Sequence, residues 1–176
     1  MDLTKKLFLT VIIVITGFGI FFYLTGGNFD LNQKSEYTLI SVDYVTSVHD
    51  GDTIRTQNLT ESIRVLYIDT PEVPPKAKDF YGYEARDFLK DKILNKHIKL
   101  KCKGTDKYKR NLCEIYPVDA DTDDIKESYD YQMVKNGYAC PFMTKNSEII
   151  NAGIEARNEK LGIYGENSTY KCRDEF

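Results

Sequence analysis

Ile63-Arg64-Val65-Leu66-Tyr67-Ile68-Asp69-Thr70-Pro71-Glu72 is the stretch on which the fold of this chain turns. Ile63 to Ile68 is a β-branched and aromatic run that reads as a strand, with Arg64 as its single charge. A guanidinium inside an apolar strand requires a carboxylate or phosphate partner. Directly after the strand, Asp69 and Glu72 bracket Thr70-Pro71, and Pro71, Pro74 and Pro75 forbid regular structure. The segment therefore carries a strand into a turn and leaves carboxylates at its end.

Working outward, Val48-His49-Asp50-Gly51-Asp52-Thr53 repeats the arrangement, with carboxylates in a tight turn. It joins an expected strand from Tyr37 to His49 with a short one around Thr53–Thr56. Downstream, Ala85, Phe88, Leu89 and Ile93 recur at helical spacing, so a helix is expected from Tyr83 to near Asn95. Ile98 to Cys102 alternates apolar residues with lysine, and Asn111 to Tyr116 is its expected hairpin partner. Asp130 to Asn136 reads as a short helix closed by Gly137. Ile149, Ile150, Ile154 and Leu161 mark a last helix stopped at Gly162. Three strands, a helix, two strands and two helices make an α+β domain in which strands dominate.

The chain has 176 residues, is 41% hydrophobic and 29% charged, and carries a formal net charge of −3. That length suits one domain and a short additional segment. His49 and His97 are the only histidines and G-x-S-x-G is absent, which argues against a hydrolase triad and a His-rich zinc site. Chemistry must come from carboxylates, arginines and lysines.

The additional segment is residues 1–24. Lys5 and Lys6 precede an apolar run from Leu7 to Leu24, interrupted only by Thr10, Thr16, Gly17 and Gly19. Eighteen residues at about 1.5 Å each span about 27 Å, close to the hydrocarbon thickness of a bilayer. The charges flanking the run place the body outside the cytoplasm. No A-x-A site follows, so a membrane-spanning signal anchor is favoured over a cleaved signal, after which the body would be secreted. Residues 25–36 read as a tether and 37–176 as the folded domain. Without residues 1–24 there remain 22 basic and 26 acidic residues, a net −4. Cys102, Cys113, Cys140 and Cys172 then lie in an oxidising compartment, where three pairings of two disulfides are open. The hairpin flanked by Cys102 and Cys113 favours Cys102–Cys113 with Cys140–Cys172.

Charge is unevenly spread. Lys96 to Arg110 carries six lysines and one arginine against Asp106, a local +6. Tyr108 places an aromatic among these cations, a combination suited to sugar-phosphate chains. Asp52, Asp69 and a backbone carbonyl offer the hard oxygens that Ca2+ or Mg2+ takes. A divalent cation and two arginines can neutralise a phosphorane-like transition state, and a carboxylate can activate water. These are the needs of phosphodiester hydrolysis.

Five motifs then carry a resemblance: Asp50-Gly51-Asp52-Thr53; Arg64 to Glu72; Tyr81-Gly82-Tyr83-Glu84-Ala85; Thr105-Asp106-Lys107-Tyr108-Lys109-Arg110; and Leu161-Gly162-Ile163-Tyr164. In this order and spacing the chain resembles the thermonuclease (staphylococcal nuclease-like) family from about Tyr37 to Gly165. The resemblance implies an OB-fold five-stranded barrel with three helices. It implies a Ca2+-dependent endonuclease that hydrolyses DNA and RNA to 3′-phosphorylated products. Carried over residue by residue, Arg64 and Arg110 would contact the scissile phosphate, and Glu72 would act as general base or orient the attacking water. Asp52, Asp69 and the Thr70 carbonyl would hold calcium, with Asp50 nearby through water. Lys107 and Tyr108 would bind a terminal phosphate, and the cationic run would be a substrate groove. The alternative is a binding module of the same fold without catalysis. A monomer is expected, with DNA and RNA as substrates and residues 7–24 in the membrane.

Three departures from the family pattern stand out. Lys109 occupies the position of a glycine usual in the phosphate loop, so that turn must differ or tolerate strain. Ala139-Cys140-Pro141-Phe142-Met143 holds no match for a tyrosine that some members place after the second helix, leaving Phe142 to stack on a base. Asp119, Asp121, Asp123 and Asp130 have calcium-loop spacing, but Asp124 stands where that loop needs glycine, which favours a solvated acidic loop.

Overall fold

In the structure, a computed structural model, residues 39–76 and 78–173 are described. The expected N-terminal segment 1–24 and tether 25–36 lie outside the described residues, among which no helix is long and apolar enough to cross a membrane. Strand β1 (Leu39–Val48) is long enough to serve two partners. Its first half pairs antiparallel with β5 (His97–Thr105), and its second half with β2 (Thr53–Thr56). The change of partner falls at an irregularity between Val45 and Ser47, the kind of bulge that bends a strand round a barrel corner. β2 pairs with β3 (Ile63–Val65), β3 runs parallel to β6 (Asn111–Tyr116), and β6 returns to β5. The order β1-β2-β3-β6-β5 closes into a five-stranded barrel, accompanied by three α-helices.

The barrel is filled by Val45, Ile54, Ile63, Val65, Ile98, Leu100 and Ile115, all essentially inaccessible. Helix α1 (Gly82–Ile93) buries Ala85, Leu89 and Ile93, one stripe at i, i+4, i+8. Helix α2 (Tyr129–Lys135) begins at Ser128, whose hydroxyl accepts from the Tyr131 N–H, and inserts Met133 and Val134. Helix α3 (Ser147–Asn158) begins at Asn146, whose side chain accepts from the Glu148 and Ile149 N–H groups. Asp130, on the inner face of α2, is fully buried and accepts the Ile115 N–H through Oδ1. It is thus part of the core and not a ligand at the end of an acidic loop.

Two expected elements are corrected. The strand foreseen from Ile63 to Ile68 stops at Val65. Arg64 donates to the carbonyls of both Val65 (2.7 Å) and Ile68 (2.8 Å), so the chain curls around the guanidinium, with Tyr67 at φ 64°. Ile68–Asp69 then forms a separate short strand, β4, paired with β7 (Cys140–Pro141). The last helix ends at Asn158 and not beside Gly162, because Lys160 at φ 55° has already reversed the chain. Two disulfides are present, Cys102–Cys113 across β5 and β6 and Cys140–Cys172 from β7 to the C-terminal segment.

Candidate active site

Three turns converge on one corner of the barrel. In the β1–β2 turn, Asp50 Oδ1 accepts the Asp52 N–H (3.0 Å), which fixes the loop. Asp52 accepts the Thr53 hydroxyl (3.0 Å) on Oδ1 and the Thr70 N–H (3.2 Å) on Oδ2. The second turn is the curl after β3. Arg64 Nη2 lies 3.2 Å from Asp52 Oδ2 and 3.5 Å from Asp69 Oδ1, joining two buried carboxylates. Because the same guanidinium is held by two carbonyls, its position is set before any ligand arrives. The third is the proline-rich turn carrying Glu72, whose N–H donates to Asp79 Oδ2 (3.0 Å) while its carbonyl accepts the Asp79 N–H (3.1 Å).

Helix α1 packs its first residue against this last turn. A Cβ on Gly82 would stand 2.4 Å from the Glu72 carbonyl oxygen, so only glycine permits the approach. The motif Tyr81-Gly82 is therefore a support for Glu72.

Carboxylates exceed cations in this corner. Asp50, Asp52, Asp69 and Glu72 face Arg64, Arg173 and the exposed Lys76, whose ammonium sits on Glu72 Oε1. Burial, followed by repulsion from Asp52 and Glu72, pushes Asp50 up to about 6. Burial also raises Asp69, against the lowering effects of the Tyr170 hydroxyl, Arg173 and Arg64. Among the described residues, no three Asp, Glu, His or Cys side chains gather closely enough to hold a metal by themselves. Asp52 and Asp69 are two, and Thr70 Oγ1 is buried there without a partner. This all-oxygen set fits a hard cation that keeps part of its water shell, and not a soft one.

The other expected residues form a second group at the β5–β6 tip. Asp106 organises it, accepting the Tyr108 N–H (2.8 Å), the Arg110 N–H (3.0 Å) and Arg110 Nε (2.8 Å). Burial opposes ionisation of Asp106, but these hydrogen bonds outweigh it and hold the carboxyl below its ordinary value. Lys107 and Arg110 flank the exposed Tyr108 ring, 5.0 and 5.6 Å from its centre. Lys109 adopts φ 66°, so the loop keeps the left-handed turn and tolerates the strain foreseen there. The contacts of this group are local. It is linked to the first group by the β3–β6 ladder, in which Arg64 faces Leu112 two positions after Arg110.

The cationic run is not one groove. Lys96 binds the carbonyls of Asp91 and Lys92 at the end of α1. Lys99 and Lys101 reach the Ala120 and Thr122 carbonyls, tying down the acidic loop, and Lys103 donates to the Tyr67 hydroxyl. These four lysines hold protein to protein, whereas the side-chain contacts of Lys107, Tyr108 and Arg110 stay within the loop 106–110.

Sequence reasoning missed the C-terminal segment. The Tyr170 hydroxyl donates to Asp69 Oδ2 (2.8 Å), Arg173 Nε lies 3.2 Å from the same oxygen, and Arg173 Nη2 lies 3.3 Å from Glu72 Oε1. The Arg173 guanidinium also lies 5.9 Å from the Phe142 ring centre, so that ring faces a cation. The available signal was Cys172, whose pairing with Cys140 brings the chain end beside the strand partner of Asp69.

A family model described as staphylococcal nuclease homologue matches residues 62–166. That span contains Arg64, Asp69, Thr70, Glu72 and Arg110, while Asp50, Asp52, Tyr170 and Arg173 lie outside it. Among curated proteins, the chain is similar to an uncharacterized endonuclease of Haemophilus influenzae, 28% identical over 129 residues. The match covers 70% of this chain and 66% of that protein, just under two thirds of its length.

Proposed function

Because the chain belongs to the staphylococcal nuclease homologue family, we propose that it is a Ca2+-dependent endonuclease that hydrolyses DNA and RNA to 3′-phosphorylated products. The observation that carries this reading is the largely enclosed Arg64, its side chain 11% exposed, held by two carbonyls and lying 3.2 and 3.5 Å from Asp52 and Asp69, with Glu72 on the adjoining turn. Such a preorganised guanidinium costs no reorganisation when charge builds up on a phosphoryl group. Arg110 supplies the second guanidinium from the loop ordered by Asp106.

Glu72 takes a proton from the attacking water or orients it. Water adds to phosphorus and gives up its proton to Glu72 or to solvent, the P–O5′ bond breaks, and the leaving oxygen takes a proton from solvent to depart as a 5′-hydroxyl. Both cations on Glu72 contact Oε1, which leaves Oε2 to the water. Asp52, Asp69 and the Thr70 carbonyl hold Ca2+, and bound Ca2+ supplies charge neutralisation at the phosphate. Lys107 and Tyr108 receive a terminal phosphate. The domain works outside the cytoplasm, anchored by residues 7–24, or secreted if that segment is cleaved. Two disulfides among the described residues support an oxidising compartment.

The full chain in detergent should degrade single-stranded DNA and RNA with Ca2+ and stop in excess chelator. Glu72→Gln should lower turnover by orders of magnitude with the fold intact. Full activity in chelator would overturn the metal assignment. Binding without cleavage across divalent metals would favour the binding-module reading.

A further inference from the structure

The segment Thr169–Arg173 lies beyond the matched family span of 62–166, yet it returns to the centre. Its anchor is covalent: Cys172 is bonded to Cys140, and Cys140 is the register partner of Asp69. Between this arm and the turn after Glu72 lies a cavity of about 360 Å3, lined by Lys78, Asp79, Phe80, Tyr170, Lys171 and Arg173 among others. That volume falls within the ~300–1,000 Å3 of sites that hold small ligands. The cavity shares its wall with the expected base, since Asp79 is hydrogen-bonded to the Glu72 backbone and Arg173 to its side chain.

The chemistry of the lining is specific. Three cations face one carboxylate, Asp79, whose Oδ2 is already occupied by the Glu72 N–H. Lys78 and Lys171 are exposed and have no carboxylate partner among the described residues. Phe80 is half-buried with its ring against Tyr81, 5.5 Å between centres, so it is held in place. Free ammonium groups beside a fixed aromatic face are what a single nucleic-acid strand uses, phosphates on the cations and a base on the ring.

We infer that this cavity is a substrate subsite for the single strand running away from the scissile bond, and that the disulfide-held arm builds half of it. Lys78 and Lys171 contact phosphates, and Phe80 stacks on a base. Arg173 connects the subsite to Glu72 while leaving Glu72 Oε2 to the water. The inference rests on the nuclease reading above.

The test measures binding of fluorescent single-stranded DNA of increasing length to the full chain by anisotropy, in excess chelator and over a range of salt. Lys78→Ala with Lys171→Ala changes exposed side chains and should preserve the circular dichroism spectrum. Loss of two phosphate contacts should flatten the slope of log K against log salt by about 1.4, at ~0.7 each, and weaken binding about 25-fold at 0.1 M salt. The loss should grow with strand length. Cys140→Ser with Cys172→Ser should weaken the long strand as well. An unchanged slope and affinity in the lysine double variant, with the parent binding normally, would overturn the subsite alone. Tighter binding after the cysteine changes would mark the arm as a plug and also overturn it. A parent chain that binds no strand of any length in chelator, and with Ca2+ added neither binds nor cleaves one, would sink the nuclease reading itself.

Discussion

Gly82→Ala replaces one hydrogen with a methyl group at a place where the backbone of the site comes closest. The added Cβ would lie 2.4 Å from the Glu72 carbonyl oxygen and 3.4 Å from that of Pro71. The first contact must lengthen by about 1 Å to reach an ordinary carbon–oxygen separation near 3.4 Å. The obstacle is backbone, and the carbonyl accepts the Asp79 N–H at 3.1 Å, so the displacement moves Glu72 and loosens its brace together. Alanine gains up to about 1 kcal/mol of helix propensity over glycine, while overpacking costs about 1–3 kcal/mol. Overpacking wins, and thermal melting should fall by several degrees. Catalysis should suffer more, since ~1 Å of misplacement at a reacting group costs on the order of 100-fold. Steady-state cleavage should show kcat down by about that factor with KM nearly unchanged, because the expected phosphate ligands are untouched. A Gly82→Ala protein with parental kcat and melting temperature would refute the claim that this contact sets the position of Glu72.

Arg64→Ala should destabilise the fold by about 3–5 kcal/mol in a urea titration, because it strands the buried Asp52 and Asp69 without their shared cation; Arg64→Lys should not restore activity, since one ammonium cannot serve two carbonyls and two carboxylates. Lys109→Gly should raise stability by about 0.5–1 kcal/mol, the relief of a φ of 66° less the added freedom of the unfolded chain, readable as a higher urea midpoint. Burial drives Asp130 well above the ordinary carboxylate value. The folded chain therefore binds that proton more tightly than the unfolded one. Its contribution is fully present below the unfolded value of 3.8 and is lost as pH rises through the folded value. Asp130→Asn keeps an acceptor for the Ile115 N–H, so it should be more stable than the parent at pH 7, with the difference shrinking toward pH 4; equal pH profiles for the two proteins would contradict this.

Much of the barrel was legible because its strands obey local rules. Thr53–Thr56 and Asn111–Tyr116 are bounded by turn residues and coincide with β2 and β6, and Ala85, Leu89 and Ile93 announce the buried stripe of α1. The break after Val65 was not legible, because it depends on where the Arg64 guanidinium finds carbonyls, a tertiary event that leaves no periodic mark. The same limit explains the lysines. Alternation in Ile98–Cys102 correctly set the lysines on the outer face, but Lys99 and Lys101 there are partly buried by their bonds to the 120–122 loop. At the site, the turn carboxylates and Arg64 were readable as residue types in turns and a strand. Tyr170 and Arg173 were not, since they reach Asp69 across 101 and 104 positions; the favoured Cys140–Cys172 pairing formed, but Cys140 was not foreseen as the strand partner of Asp69.

The parallel ladder between β3 and β6 has a kinetic consequence. Its partners, Ile63 and Asn111, are separated by a helix and two strands, so the ring closes only after a long stretch of chain has been ordered. Loop-closure entropy is spent before such a contact returns anything, and pairings of this kind form slowly and late. Arg64 and Arg110 stand on the two sides of that seam, and Asp69 awaits Cys140 from farther down the chain. A growing or half-folded chain therefore holds the residues of the centre without their arrangement.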